Sequence, residues 1–154
     1  MNDALIALGA LVAMEPISAG VHRFIGHGLA WELHRSHHEA PIEGIVGLEA
    51  NDAIPAVSAI VTMTMLALGR WVNGFAILQP LAVGMTLYGF AYFVVHDVYI
   101  HRRLALLPRR VGVLEPFRLH HLRHHRDGSG RWGIFWMSPR LDAVRAGSGY
   151  PDRT

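Results

Sequence analysis

Ten of the eleven histidines fall into a pattern that is used twice. His22 and His27 form H-x-x-x-x-H, followed by His34, His37 and His38 as H-x-x-H-H; His96 and His101 repeat the first spacing, and His121, His124 and His125 repeat the second. On an α-helix, positions i, i+3 and i+4 share a face, so each H-x-x-H-H aims three imidazoles into one space. An i, i+5 pair on the same helix diverges by about 140° and suits ligands that approach from two sides. Neutral imidazole is the commonest metal ligand among side chains, and the doubled pattern implies metal binding by His22, His27, His34, His37, His38, His96, His101, His121, His124 and His125. Zinc sites are usually four-coordinate and octahedral ions take six ligands, so ten imidazoles suit two ions with about five histidines each. The chain has no cysteine, which excludes thiolate sites, cysteine nucleophiles and disulfides. Imidazole serves zinc, copper, iron and nickel alike, so ligand type leaves the element open. Hydrolytic zinc needs only three protein ligands; a larger histidine set better matches iron that changes oxidation state, and work on apolar substrates at a membrane points to oxygen activation.

The elements that must carry these histidines are apolar. Hydrophobic residues make up 51% of the 154, above the usual share for a soluble domain. Residues 53–69 and 74–95 carry no charge and residues 4–21 carry one; about 17 to 25 apolar residues cross a bilayer, so each stretch is long enough. The fold class expected is an all-α membrane protein with three or four transmembrane helices and cytoplasmic, histidine-bearing helical extensions. The first stretch has no basic start and no small-residue cleavage site, so it reads as a span and not as a signal peptide. All 14 basic residues are arginine. None precedes residue 22 and only Arg70 lies between the second and third stretches, whereas eleven follow the third. By the positive-inside rule the histidine-bearing segments 22–51 and 96–154 face the cytoplasm. A net charge of +2 gives no nucleic-acid footprint. Residues 1–140 are expected to form one membrane domain, with 141–154 a polar, disordered tail.

The order of the four arrays, in a chain of this length with these spans, resembles the bacterial β-carotene hydroxylases of the fatty acid hydroxylase superfamily. The resemblance runs from about Met14 to His125 and includes "ME" at 14–15, "RSHHE" at 35–39, "ND" at 51–52, "GMTLYGFAYFVVHD" at 84–97 and "IHRR" at 100–103. It implies an enzyme of the bacterial cytoplasmic membrane with two non-haem iron ions. Such an enzyme uses O2 and electrons from a ferredoxin to hydroxylate ring carbon 3 of β-ionone rings, taking β-carotene through β-cryptoxanthin to zeaxanthin. A ketolase, a desaturase or a lipid hydroxylase of the same superfamily is the nearest alternative. A bis-histidine haem protein and a metal carrier are the non-enzyme alternatives, and both leave the repeated arrays unexplained. His120 stands where that family usually has a small residue, about 100° from His121 on a helix, and is read as a non-ligand. The stretch after His125, "RDGSGRWGIFWMSPR", matches the family only loosely and could contact substrate.

Other residues are expected to support this chemistry. Metal-bound histidines normally give their second N–H to a carboxylate or carbonyl, which makes Glu39 and Asp97 candidates beside His38 and His96. Glu15, a carboxylate within a span, is a functional candidate by default, expected to bond a ligand histidine or the neighbouring helix. An apolar carotenoid would arrive through the bilayer lipid, and Gly84, Thr86, Tyr88 and Gly89 before His96 are the expected lining of its channel. Arginines between 102 and 131 offer a surface for an acidic ferredoxin.

Overall fold

The computed structural model describes residues 2–41, 43, 44, 47–128 and 132–136. Among them the chain is helical and contains no strand. Helix α1 (Asp3–Gly20) runs without a break into a π-helical segment, Val21–Leu29, and then into α2 (Trp31–Glu39). A 3-10 turn, Ala50–Asp52, leads into α3 (Ala53–Trp71); α4 (Leu78–Phe93) continues as a second π-helical segment, Val94–Ile100; α5 is Glu115–Asp127. The division at residue 140 and the expected tail 141–154 lie outside the described residues.

Three helical rods, 3–29, 50–71 and 78–100, are long and apolar enough to cross a membrane. No fourth appears among the described residues. Their outward faces are those of helices made for lipid: Leu5, Leu8 and Val12 on α1 and Val57, Ile60 and Met63 on α3 are largely exposed. The hydroxyls on α3 bond within it, Ser58 to the Ile54 carbonyl, Thr62 to Ser58 and Thr64 to Ile60, so none of these three hydroxyls is left bare to hydrocarbon.

Helix α1 packs along α4 with the two running in the same direction, residues 7–11 beside Gly84 and Glu15 beside Tyr88. Gly84 permits this contact: a Cβ there would collide with the Ala7 carbonyl oxygen and sit 2.9 Å from the Leu11 nitrogen. Helices α3 and α4 form an antiparallel hairpin, closed where Gly69 meets Gln79. The C-terminal ends of α1 and α4 and the N-terminal end of α3 therefore lie at one end of the bundle, and every histidine lies there too.

At that end α5 closes over the second π-helical segment. Pro116 sits in its first turn and Gly128 ends it in the left-handed conformation, φ 65°, the usual roles of those residues at helix ends. Tyr99, Ile100, Val95, Leu122 and Ile134 make the small buried core between them, and the Tyr99 hydroxyl bonds Glu115, which Arg118 holds in turn.

Candidate metal centre

His22 and His27 lie on the π-helical segment Val21–Leu29, and His96 lies on the segment Val94–Ile100 with His101 capping its C-terminal end. This corrects the α-helical expectation that residues five apart diverge. In a π-helix the backbone bond runs from i to i+5, as from the His101 N–H to the His96 carbonyl at 2.9 Å, and so residues five apart come onto one face. Ring centroids are 5.1 Å apart for His22 and His27 and 4.5 Å for His96 and His101.

Ring nitrogens of His22, His27, His34, His38 and His124 all lie within 4.8 Å of one another, and those of His37, His96, His101 and His121 form a second such group. His125 joins the second through His121, their Nε2 atoms 2.9 Å apart. Each H-x-x-H-H array is thereby shared. Its first and last histidines enter one group, His34 with His38 and His121 with His125, while the middle one crosses to the other: His37 lies 4.4 Å from His101 and His124 4.6 Å from His22, ring to ring. His120 is buried as well but belongs to neither group.

Three of the outer nitrogens are held by acceptors. His22 Nδ1 donates to the Trp132 carbonyl at 2.8 Å, His34 Nδ1 to Asn51 Oδ1 at 2.7 Å, and His96 Nδ1 to Asp97 Oδ2 at 3.2 Å. A carbonyl or carboxylate oxygen can only accept, so each of these rings carries its proton on Nδ1 and leaves Nε2 as a bare lone pair. The consequence is clear at His22 and His34, whose Nε2 atoms face each other at 3.0 Å. Two lone pairs at that distance repel, and a cation taken by both relieves them. His37 Nε2 is buried without a hydrogen-bond partner, a further nitrogen aimed at nothing the protein supplies.

Burial disfavours the charged form of six imidazoles outside the spans. It pushes His38 down to about 4, with His34 and His27 adding to the effect, and His124 down to about 3, with His38 adding to it. His34, His37, His121 and His125 are lowered for the same principal reason. Clustered imidazoles, with Nδ1 of His22, His34 and His96 held by acceptors so that Nε2 is free, are the donor chemistry of a metal site, and the two groups fit two ions.

The supporting residues divide. Asp97 faces His96 as above. Glu39 does not face a histidine: its side chain is 70% exposed and reaches Arg35 at 3.8 Å, because the last turn of α2 turns it to solvent. The carboxylate beside the array is Glu49, 3.5 Å from His37 Nδ1 and 8% exposed, with its own acidity lowered by burial. Glu15 is buried and accepts from the Tyr88 hydroxyl (2.7 Å) and from the backbone N–H groups of Phe135 (2.8 Å) and Trp136 (2.9 Å). It thus bonds the neighbouring helix and not a histidine, yet it anchors the strap 132–136 whose Trp132 carbonyl holds His22. The four residues expected to line a channel do not share a face. Gly84 is filled by α1, Tyr88 is tied to Glu15, and Thr86 and Gly89 are exposed on the outside of α4 with Thr86 bonded back to Ala82. Gly84 is a packing residue, because only a missing side chain lets the α1 backbone approach.

From the sequence, Asn51 and Glu49 had no assigned role, Arg103 was read only as part of the arginine surface between 102 and 131, and Trp132 only as part of the loosely matching stretch after His125. Asn51 and Arg103 also fall in the "ND" and "IHRR" matches.

A sequence profile of the fatty acid hydroxylase family matches residues 7–144, and the chain belongs to that family. Curated relatives carry a narrower description. The chain is 39% identical to a β-carotene hydroxylase of Pseudescherichia vulneris over 91% of its own length and 80% of that protein's, and 34% identical to a β-carotene hydroxylase of Paracoccus sp. (strain PC1) over 96% and 94%. It is also 34% identical to a chloroplastic β-carotene 3-hydroxylase of an Oncidium hybrid cultivar, covering 94% of this chain and 48% of that one. No solved structure matches.

Proposed function

We propose that this chain is a carotenoid hydroxylase that inserts oxygen from O2 at ring carbon 3 of β-ionone rings, converting β-carotene to β-cryptoxanthin and then zeaxanthin. Bacterial and plant relatives named for β-carotene hydroxylation support the substrate, and the single observation that carries the chemistry is the pair of histidine groups with bare, converging Nε2 atoms. In balance, a ring C–H, O2, two electrons and two protons give C–OH and water. Two non-haem iron ions, held by His22, His27, His34, His38 and His124 and by His37, His96, His101, His121 and His125, would supply the O2 activation and the one-electron steps that no side chain here can perform.

The protein's part is orientation and exclusion. Asn51, Asp97 and the Trp132 carbonyl keep their histidines in the Nδ1–H tautomer, and the strap held by Glu15 covers the first group. The apolar helices admit a substrate that arrives within the bilayer, one end ring at a time. The arginine distribution supports a cytoplasmic orientation of the histidine end in a bacterial membrane, where a ferredoxin-type donor would reach it. Residues 1–140 would be the hydroxylase unit.

The test is co-expression in a host that makes β-carotene, with chromatography of the pigments. β-Cryptoxanthin should appear early and decline as zeaxanthin accumulates. Keto-carotenoids or a desaturated product would replace this reading with a ketolase or desaturase, and a Soret band in the purified protein would indicate haem.

A further inference from the structure

Arg103 lies outside both histidine groups, yet it holds the outer partners of both. One of its guanidinium nitrogens donates to Asp52 Oδ1 and stands 3.4 Å from Asp97 Oδ1 and 3.8 Å from Glu49 Oε2; the other donates to Asp52 Oδ2 and to the Gly47 carbonyl, each at 2.7 Å. Its side chain is only 16% exposed. Asp52 accepts the Glu49 backbone N–H at 2.9 Å, closing the turn that presents Asn51 to His34. That turn is also tied to α2, the Asn51 N–H donating to the Ser36 hydroxyl at 3.2 Å.

The three carboxylates Glu49, Asp52 and Asp97 gather around one cation. Each leads somewhere different: Glu49 to His37, Asp97 to His96, and Asp52 through its turn to Asn51 and His34. His34 is in the first group, and His37 and His96 are in the second. The backbone sets the guanidinium in place. Arg102 takes the left-handed conformation, φ 52°, and the Arg103 N–H bonds the Asp97 carbonyl at 2.9 Å, turning the chain back directly after His101. A planar guanidinium with a fork of donors can meet a carboxylate at two points and a carbonyl besides; an ammonium cannot hold the same set at fixed angles.

We propose that Arg103 is a positioning residue for both metal sites, setting the orientation of His34 in one and of His37 and His96 in the other through Asn51, Glu49 and Asp97. It touches neither ion nor substrate. Removing it leaves three carboxylates in mutual repulsion and frees the 47–52 turn, so both sites loosen together. Loss of an outer partner typically weakens metal affinity roughly 10- to 100-fold. This proposal rests on the two-ion reading of the histidine groups.

The experiment compares full-length wild-type protein with Arg103→Ala, Arg103→Lys and Asn51→Ala, purified from membranes and loaded with iron-57. Chelator extraction and Mössbauer spectra are recorded, with helix content as the control for folding. Arg103→Ala is expected to speed extraction of both ions at least about 10-fold and to broaden both signals. Arg103→Lys, which keeps the charge, should alter both signals at unchanged helix content, whereas Asn51→Ala should alter one. Signals and extraction unchanged in Arg103→Lys and Arg103→Ala, or a change confined to one ion, would overturn the proposal. If the wild-type chain does not hold two ions, the functional reading falls separately. Arg103 is then judged on metal-free protein, where nitrogen-15 shifts of the His34, His37 and His96 rings should move together in Arg103→Ala and staying put would refute the role.

Discussion

His38 and His125 lie ring over ring, their centroids 4.3 Å apart and 18° from parallel, although they come from different arrays and serve different histidine groups. This stack is a seam between the groups, and it ties α2 to α5. Alanine at either position should therefore disturb both sites, and the two substitutions should couple, the double variant losing less iron affinity than the sum of the singles by upwards of about 0.5 kcal/mol. Iron titration of the four proteins measures this, and strict additivity would show the stack to be incidental.

Because His37 crosses to the group of His96 and His101, its effects should follow space and not sequence. His37→Ala should change the same spectroscopic signal as His96→Ala and leave the signal altered by His34→Ala. His124→Ala should pair with His22→Ala in the same way. Membrane insertion should persist in all of them, since the spans carry it.

Glu15→Ala should free the strap 132–136. Three donors lose their acceptor, the buried Tyr88 hydroxyl and the part-buried N–H groups of Phe135 and Trp136; the buried one costs about 1–3 kcal/mol if nothing replaces it, and the other two less because water can reach them. Hydrogen exchange at 134–136 is expected to accelerate and turnover to fall at least about tenfold, with α1 still inserted. Unchanged exchange would mean that Ile134 and Phe135 hold the strap by packing alone.

Gly84 and Gly89 should respond oppositely to enlargement. Gly84→Leu drives a side chain into the backbone of α1 and should collapse the yield of folded protein. At Gly89 a Cβ meets nothing within 4 Å, so Gly89→Leu should fold, keep iron and retain most activity. A marked loss of hydroxylation by Gly89→Leu with iron retained would instead place substrate on that face of α4.

The metal-free protein should be acid-sensitive. His38, lowered by burial to about 4, and His124, to about 3, bind protons less readily folded than unfolded, where the ordinary value is 6.5. The unfolded chain takes up protons first, so stability is full above pH 6.5 and declines as pH falls from there through about 4 for His38 and about 3 for His124. Tryptophan fluorescence against pH should show α2 and α5 loosening across that window, while bound iron should shift the loss to lower pH.

Composition and run length were enough to read the three spans, because a helix in hydrocarbon must be apolar over a length set by the bilayer, and that requirement is local. The histidine arrays were legible for a similar reason: ten imidazoles at two repeated spacings have no role on a soluble surface. What the sequence did not carry was partition. His34, His37 and His38 look like one set on an α-helical face, and only the approach of the second π-helical segment and of α5 sends His37 to one group and His124 to the other. Nor did the spacing of His22 and His27 announce a π-helix, since the i to i+5 backbone bond is stabilised by where the two rings must meet and not by residue type. Glu39 and Glu49 show the same limit. The glutamate next to the array in sequence turns to solvent, and the one that faces His37 is brought by a turn that Arg103 clamps, a contact between distant parts of the chain that exists only once α3 and α4 have paired.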